Sequence, residues 1–417
     1  MCHVWSWGMF FLSMDDKAKI PCGLAAATKQ APILMHLEYK VRLPDHDFAV
    51  AARHKLIPSV YAACVINPDK FTDAVSYSGP TYIAIRSMKH DSSTAFTHGH
   101  DLERLRSVDS FKTVMSTPDG QVKPIFIVAS DGGPDENPRF PKPLQVAIAR
   151  FKTWNLDAYL TGTNAPHYSA YNRVERRMAP LSRELAGLVL PHDHFGSHLD
   201  ASGKTMDTEK EKLNFEKAGT TLAEIWSELM IDNQDVFAEY ISPNDTAVTP
   251  DEPCAKWVAT HVRQSQYFMQ IVKCDDRGCC QPWRSSWRTY FPQRFLPGPA
   301  VLSHSNEGLC VPETSMVSAI IKPYFASLAQ RVGFVSSKVP LDSPFDMYCP
   351  SIAKTELQKR TCPECRIYHA SQASLKRHRH IHEGAHVIAT SATEADDGDE
   401  VLMPSADDKQ DREMPVI

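Results

Sequence analysis

No run in this sequence is long and apolar enough to span a bilayer. The most apolar early stretch, residues 4–14, is too short, and no Lys or Arg precedes it as a signal peptide requires. The chain is therefore expected to be soluble and intracellular, with no membrane partner. An overall excess of positive charge is also missing: the formal net charge is −5, which does not by itself announce a nucleic-acid binder. There is no regular disulfide framework either. The eleven cysteines are odd in number, and the groups Cys274, Cys279, Cys280 and Cys362, Cys365 suggest metal ligands in a reducing compartment. Internal repeats are lacking, and low complexity is confined to the C-terminal end. There, residues 391–417 hold nine acidic and two basic residues and no aromatic, so 388–417 are expected to be a disordered acidic tail.

What is present is enough for a real core. Hydrophobic residues make up 42 % of 417 residues, a length that suggests two or three units. Residues 1–200 alternate apolar runs with helical patterns, as an α/β domain does, with strands expected at 4–14, 33–41, 56–65, 81–87, 125–129 and 156–160. Helices are expected at 101–114, at 143–154, where Leu144, Ile148 and Phe151 share a face, and at 169–190, interrupted or bent near Pro180. Residues 201–350 read as an extension, charged and helical to about 232, then rich in Pro, aromatics and Cys. In its helical part Leu213, Phe215, Leu222, Ile225, Trp226 and Leu229 are the expected buried positions.

Near the C-terminus, Cys362, Cys365, His378 and His382 follow the spacing Cys-x2-Cys, twelve residues, His-x3-His. Two Cys on a hairpin turn and two His one helical turn apart can converge tetrahedrally on one Zn²⁺. Leu375 supplies the apolar core residue three positions before His378, and 371–382 contain no Gly or Pro and can run as a helix. The pattern predicts a small ββα Cys2His2 zinc finger over 355–387. One departure is that the usual aromatic four residues after the second Cys is replaced by His369, leaving Tyr368 to cover the core from a shifted position. Lys376, Arg377 and Arg379 give the helix a basic face for nucleic acid. The base-reading positions −1, 3 and 6 fall on Ser371, Ser374 and Arg377, and only Arg377 can make a bidentate contact to guanine. One finger covers about three base pairs, too few for specific DNA binding alone, so a protein-contact role stands beside the DNA-binding one.

Three acidic residues of the first half sit where metal-dependent phosphoryl chemistry wants them. Asp15 closes the first apolar strand, Asp131 follows 125–129, and Glu175 lies in a helical stretch after 156–160. Carboxylates at adjacent strand ends, joined by one from a helix, can hold two Mg²⁺ ions for phosphodiester cleavage. Each has a plainer reading as well. Asp131-Gly132-Gly133-Pro134 is a good turn, Asn172 with Glu175 is a capping-box pattern, and Asp15-Asp16 can simply solvate a strand end.

In order along residues 4–187, several motifs agree with one family. They are Met14-Asp15-Asp16-Lys17-Ala18-Lys19, Asp45-His46-Asp47-Phe48 with Ile57-Pro58, His100-Asp101, Asp131-Gly132-Gly133-Pro134, and Pro166, Ser169 with Asn172-Arg173-Val174-Glu175-Arg176-Arg177. Together they resemble the nuclease core of DDE transposases, in a branch of insertion-sequence enzymes related to the mariner group. The resemblance implies a ribonuclease H-like fold, a mixed sheet with flanking helices, and a catalytic triad of Asp15, Asp131 and Glu175 using Mg²⁺ or Mn²⁺. Such enzymes normally carry a helix-turn-helix region before the first catalytic strand, whereas this chain begins almost at that strand and carries a finger at the other end. That arrangement resembles a eukaryotic, transposon-derived nuclear protein. Three functions stay open at this point: DNA strand cleavage or transfer, non-catalytic DNA or chromatin binding, and protein interaction through finger and acidic tail.

Two further groups draw attention. His192, His194 and His198, with Asp193 and Asp200, are read as a hydrogen-bonded turn, because Gly196 argues against the helix that a metal pair would need. Cys274, Cys279 and Cys280, with Cys254 or Cys310 as a fourth, read either as thiolate ligands or as buried free thiols.

Overall fold

The computed structural model describes residues 8–26, 50–67, 74–164, 172–243, 249–296, 303–305, 308–310, 346 and 352–382. The strand expected at 33–41, the segment Asp45–Phe48, Pro166, Ser169 and the acidic tail lie outside them.

The first apolar run becomes β1 (Met9–Asp16), which continues through both acidic residues. After the short β2 (Ile20–Pro21) come β3 (Lys55–Cys64), β4 (Thr81–Ser87), β5 (Ile125–Ser130) and β6 (Ala158–Thr163). The second half of the chain adds β7 (Met230–Ile231), β8 (Gln234–Tyr240), β9 (Val262–Gln264) and β10 (Phe268–Val272). These make one ten-stranded mixed sheet in the order β7-β8-β4-β3-β1-β5-β6-β10-β9, with β2 paired to β3. β1 is antiparallel to β3 and parallel to β5, and β5 is parallel to β6. β8 and β10, from beyond residue 200, flank this centre on its two sides, parallel to β4 and antiparallel to β6 respectively. A separate hairpin joins β11 (Ser303–Ser305) and β12 (Gly308–Cys310).

Alternation along the strands builds a core on each face. Tyr61, Ala63, Tyr82 and Ala84 face a cluster with Leu102, Leu105, Phe111, Ile148 and Phe151. These last come from α1 (Ala95–Leu105), α2 (Asp109–Met115) and α3 (Pro141–Thr153). Val60, Ala62, Ile83 and Ile85 face the opposite way, onto Met178, Leu181, Phe215, Leu222 and Trp226. Those belong to α4 (Glu175–Glu184) and α5 (Thr208–Ser227). Burial on both faces is why β3 and β4 read as continuous apolar runs in the sequence. On the β6–β10 side, Ile125, Ala158, Leu160 and Val272 are covered by Trp287, Phe291 and Phe295, around α7 (Trp287–Tyr290).

Several expectations are corrected. The helix expected at 101–114 is two, α1 and α2, because Thr94 and Thr97 form a capping box that starts the first turn earlier. Asp101, taken as a helix start, is instead interior to α1 and wholly buried, bonded to Arg86 and to the Tyr61 hydroxyl at 2.7 Å. The charged helix beyond 200 ends at Ser227, and the chain then turns into β7 and β8. Leu213 is 49 % exposed, since the α5 stripe that meets the sheet is Glu211, Asn214, Phe215, Ala218, Leu222 and Trp226. Gly219 lets that stripe approach closely, because a Cβ there would fall 2.1 Å from the Tyr240 ring. α4 continues through Pro180 without interruption.

The remaining helices are α6 (Ala255–His261), α8 (Lys354–Lys359) and α9 (Gln372–Arg379). Among the described residues, no helix is long and apolar enough to cross a membrane.

Candidate metal centres

Parallel pairing of β1 and β5 puts their C-terminal ends on one edge of the sheet. Ser13 pairs with Ala129, so Asp15 and Asp131 lie level, two residues further along each chain. Gly132, at φ +95°, then reverses the chain, and the amides of Glu136 and Asn137 donate to the Gly133 carbonyl at 3.1 and 2.8 Å. This turn returns Glu136 to the strand ends. Carboxylate oxygens of Asp15, Asp131 and Glu136 lie within 4.8 Å of one another.

The electrostatics of that group are unbalanced. Glu136 is only 8 % exposed, and neither of its carboxylate oxygens has a hydrogen-bond partner. Burial, then the charges of Asp15 and Asp131, hold its pKa well above the usual carboxylate range. Burial, followed by the charges of Asp131 and Glu175, pushes Asp15 up to about 8. Buried, unpaired oxygens of like charge are stable only if they keep a proton or gain a cation.

Glu175 is held near this group by its helix, not by a capping box. The N-cap of α4 is Val174, with no side-chain cap. The Asn172 side chain instead donates to the Met14 carbonyl at 3.0 Å and accepts from the Ser13 hydroxyl, while the Val174 amide donates to Ser13 Oγ at 2.9 Å. Three bonds thus fasten the start of α4 to β1, one and two residues before Asp15. Glu175 stands outside the 4.8 Å group, although burial and then Asp131 raise its pKa while Lys17 draws it down. Lys17 is itself buried and donates to Ser182 Oγ of α4. The structure therefore unites Asp15 and Asp131, sets Glu175 beside them, and adds Glu136, which was not foreseen. Its only trace in the sequence is an acidic pair, Asp135-Glu136, placed before the helix rather than in it.

The neighbouring acids are already neutralised. Ligand atoms of Asp16, His98 and Asp135 also lie within 4.8 Å. Asp16 accepts from Ser59 Oγ at 2.6 Å, and His98 Nε2 is 3.2 Å from Asp135. Burial would lower the His98 pKa, but its bond to Asp135 and the charges of Asp16 and Asp135 outweigh that and raise it. Asp135 thus has a basic partner within the fold, and that bond favours the charged form of His98.

His198, read as part of a turn, is buried. Its Nε2 is 2.8 Å from His54 Nε2, and Asn214 Nδ2 is 2.9 Å from its Nδ1. Glu211 Oε1 lies 3.3 Å from His54 but takes the Lys89 ammonium at 2.8 Å. Although these three ligand atoms converge, that ammonium occupies the oxygen a cation would need. His194 is exposed, as a loop residue should be.

In the C-terminal unit, Thr361 bridges Tyr368 and the Cys362 amide donates to the Ile367 carbonyl at 2.9 Å, forming a hairpin turn with Arg366 at φ +63°. Ser371 caps α9 by accepting from the Ser374 amide at 3.1 Å. Ligand atoms of Cys362, Cys365, His378 and His382 converge within 4.8 Å. Cys362 Sγ is 3.6 Å from His382 Nε2, and Cys365 Sγ is 3.1 Å from His378 Nε2. Leu375 and Tyr368 are buried, and the His369 ring packs 4.4 Å from that of His378, filling the place of the missing aromatic. Lys376, Arg377 and Arg379 are all exposed. Ser371 is occupied in capping, which leaves Arg377 as the long, free side chain among the three base-reading positions.

Cys274, Cys279 and Cys280 also come together, with His261 rather than Cys254 as their fourth neighbour. Cys/His groups of this chain could thus hold metal ions. Compared with family models, with characterised proteins and with solved structures, the chain matches none.

Proposed function

We propose that this is a transposase-derived nuclear protein whose carboxylate group binds divalent cations for DNA strand cleavage or transfer, and whose Cys2His2 finger binds zinc and nucleic acid. The observation that carries the reading is Glu136: a buried carboxylate with no hydrogen bond to either oxygen and His98 Nε2 no nearer than 4.0 Å, against Asp15 and Asp131 at adjacent parallel strand ends. This reading takes β4-β3-β1-β5-β6 as a ribonuclease H-like sheet, with its antiparallel side at β3 and its parallel side at β5.

Bound Mg²⁺ or Mn²⁺ would supply charge stabilisation and an activated water for in-line displacement at phosphorus. Asp15 and Asp131 would hold the cation from adjacent strand ends. Glu136 closes the buried side, and Glu175 offers an oxygen from the helix. Asp15 would have to give up its proton to serve as a ligand, so cation binding would tighten as pH rises toward about 8. Arg173 and Arg176, stacked on Tyr77 with guanidinium carbons 4.5 and 3.8 Å from the ring centroid, lie on the same segment as Glu175 and suit a phosphate backbone. On the finger, Lys376 and Arg379 hold phosphates while Arg377 reads a base.

The test is a strand-cleavage and strand-joining assay with Mg²⁺ or Mn²⁺, comparing wild type with Glu175→Gln and Glu136→Gln. Activity in wild type that both substitutions abolish is the expected result, and equal, zero activity in all three removes the enzyme. A second reading is a non-catalytic DNA- or chromatin-binding protein, favoured by the position of Glu175 outside the converging group. It requires salt-sensitive DNA binding that survives in every variant without cleavage.

A further inference from the structure

The corner between α6 and β10 gathers four metal-type ligands from three separate places. His261 ends α6, Cys274 follows β10 by two residues, and Cys279 and Cys280 lie in the turn beyond. Their ligand atoms lie within 4.8 Å of one another. His261 Nε2 is 3.6 Å from Cys279 Sγ and 3.4 Å from Cys280 Sγ. Tetrahedral zinc, with bonds of about 2.3 Å to sulfur and about 2.0 Å to nitrogen, places such atoms about 3.5 Å apart. The Cys362–His382 pair of the finger, at 3.6 Å, has the same separation.

The surroundings fit a metal better than idle thiols. His261 Nδ1 is 2.8 Å from the Trp257 carbonyl, which fixes the proton on Nδ1 and turns the Nε2 lone pair toward the sulfurs. Trp257 also stacks on the ring at 4.1 Å and holds its plane. The turn is tight, with both the Cys279 and Cys280 amides donating to the Asp276 carbonyl, at 3.0 and 2.9 Å. Arg294 clamps the same corner, donating to the carbonyls of Lys273, Thr260 and Val272 at 2.7, 3.2 and 3.1 Å. A disulfide between two of these cysteines would leave the aimed imidazole without a purpose.

We propose that His261, Cys274, Cys279 and Cys280 form a second, structural zinc centre of the Cys3His type, independent of the carboxylate chemistry. Four protein ligands close the coordination sphere, so the site pins rather than catalyses. Binding releases the three thiol protons, and the resulting net single negative charge faces the Arg294 guanidinium. The centre ties α6 to the end of β10, and α9 of the finger packs on α6. Asp346 links the same region to the finger, accepting from the Gln266 amide at 2.9 Å and the Tyr368 hydroxyl at 2.7 Å. The second centre thereby makes a firm seat for the finger.

The experiment uses the full chain. Zinc content and the sulfur-to-cobalt absorption of the Co²⁺-exchanged protein are measured for wild type, Cys362→Ser/Cys365→Ser and Cys274→Ser/Cys279→Ser. The finger variant is expected to keep a thiolate-bound zinc, and the second pair of substitutions is expected to remove one relative to wild type. Cobalt absorption from sulfur separates these sites from any zinc taken up by carboxylates. His261→Cys is expected to keep the metal with stronger sulfur absorption, which guards against a variant that merely fails to fold. No thiolate-bound metal in the finger variant, or an intact mass showing a disulfide among Cys274, Cys279 and Cys280, overturns the proposal.

Discussion

Two groups of buried acids lie near one sheet and are treated in opposite ways. Asp101 is wholly buried, yet the Arg86 guanidinium and the Tyr61 hydroxyl take its oxygens. Glu136 is almost as buried and has neither. Removing a charge from water costs several kcal/mol unless a partner restores the lost interactions. Where the fold needs an acid for its own architecture, it supplies that partner from within. Where it leaves carboxylates facing one another, they keep a proton or take a cation from outside. The contrast separates Asp101, Glu211 and the Asp16–His98–Asp135 group from the group at Asp15.

This comparison can be broken or sharpened by substitution. The largest effect is expected at Asp131. Asp131→Asn should leave the fold intact by circular dichroism while lowering Mg²⁺-dependent strand cleavage by about 10³-fold, the worth of several kcal/mol of charge stabilisation. Next comes Asp101→Asn, which takes from the buried Arg86 the nearer of its two carboxylates, leaving Asp91 at 3.2 Å, and should cost about 3 kcal/mol in urea unfolding without touching the chemistry directly. If Asp101→Asn proved neutral, the distinction between structural and functional acids would fall.

The third effect has the opposite sign. Asp15 is raised from 3.8 to about 8 in the fold, so its contribution is whole below pH 3.8 and is lost as pH rises through about 8. In buffer freed of Mg²⁺ and Mn²⁺, Asp15→Asn should therefore be more stable than wild type at pH 8, by about 1–3 kcal/mol. The gap should close toward pH 4, and also when Mg²⁺ is added to wild type. A wild type at least as stable as the variant in metal-free buffer at pH 8 would contradict the strained-site picture.

The smallest effect belongs to the paired cluster. Burial first of all lowers His54 from 6.5 to about 4. Its contribution is present above pH 6.5 and declines as pH falls through about 4, because the unfolded chain takes up a proton that the folded one refuses. Measured as the difference between wild type and His54→Gln, which cancels the opposing slopes of Asp15, Glu136 and Glu175, the His54 contribution should drop by about 1–2 kcal/mol between pH 7 and pH 4.5.

Much of the sheet was legible because its strands carry their own pattern. The apolar runs around β1, β3, β4, β5 and β6 need no partner to be seen. β8 and β10 were not, since a strand at the flank of a sheet alternates less clearly: Gln234–Tyr240 exposes Phe237 and buries Val236. The site was half legible. Asp15 and Asp131 end strands, which a sequence displays, whereas Glu136 arrives through a loop whose path depends on Gly132 and on a carbonyl it must reach. His261 likewise sits thirteen residues before Cys274, a spacing that matches no standard framework and acquires meaning only when α6 lies against β10.

The strand runs, the Cys-x2-Cys and His-x3-His spacing of the C-terminal unit and the acidic character of the strand ends can all be read from the sequence alone. Each depends on spacing within one element, where a turn of helix or the pleat of a strand fixes which side chains are neighbours. Which acids converge, which are paired, and which histidine lies against the three cysteines depend on the tertiary structure. Those are questions of distance between elements far apart in the chain, set by how the sheet is ordered and how the helices pack on it.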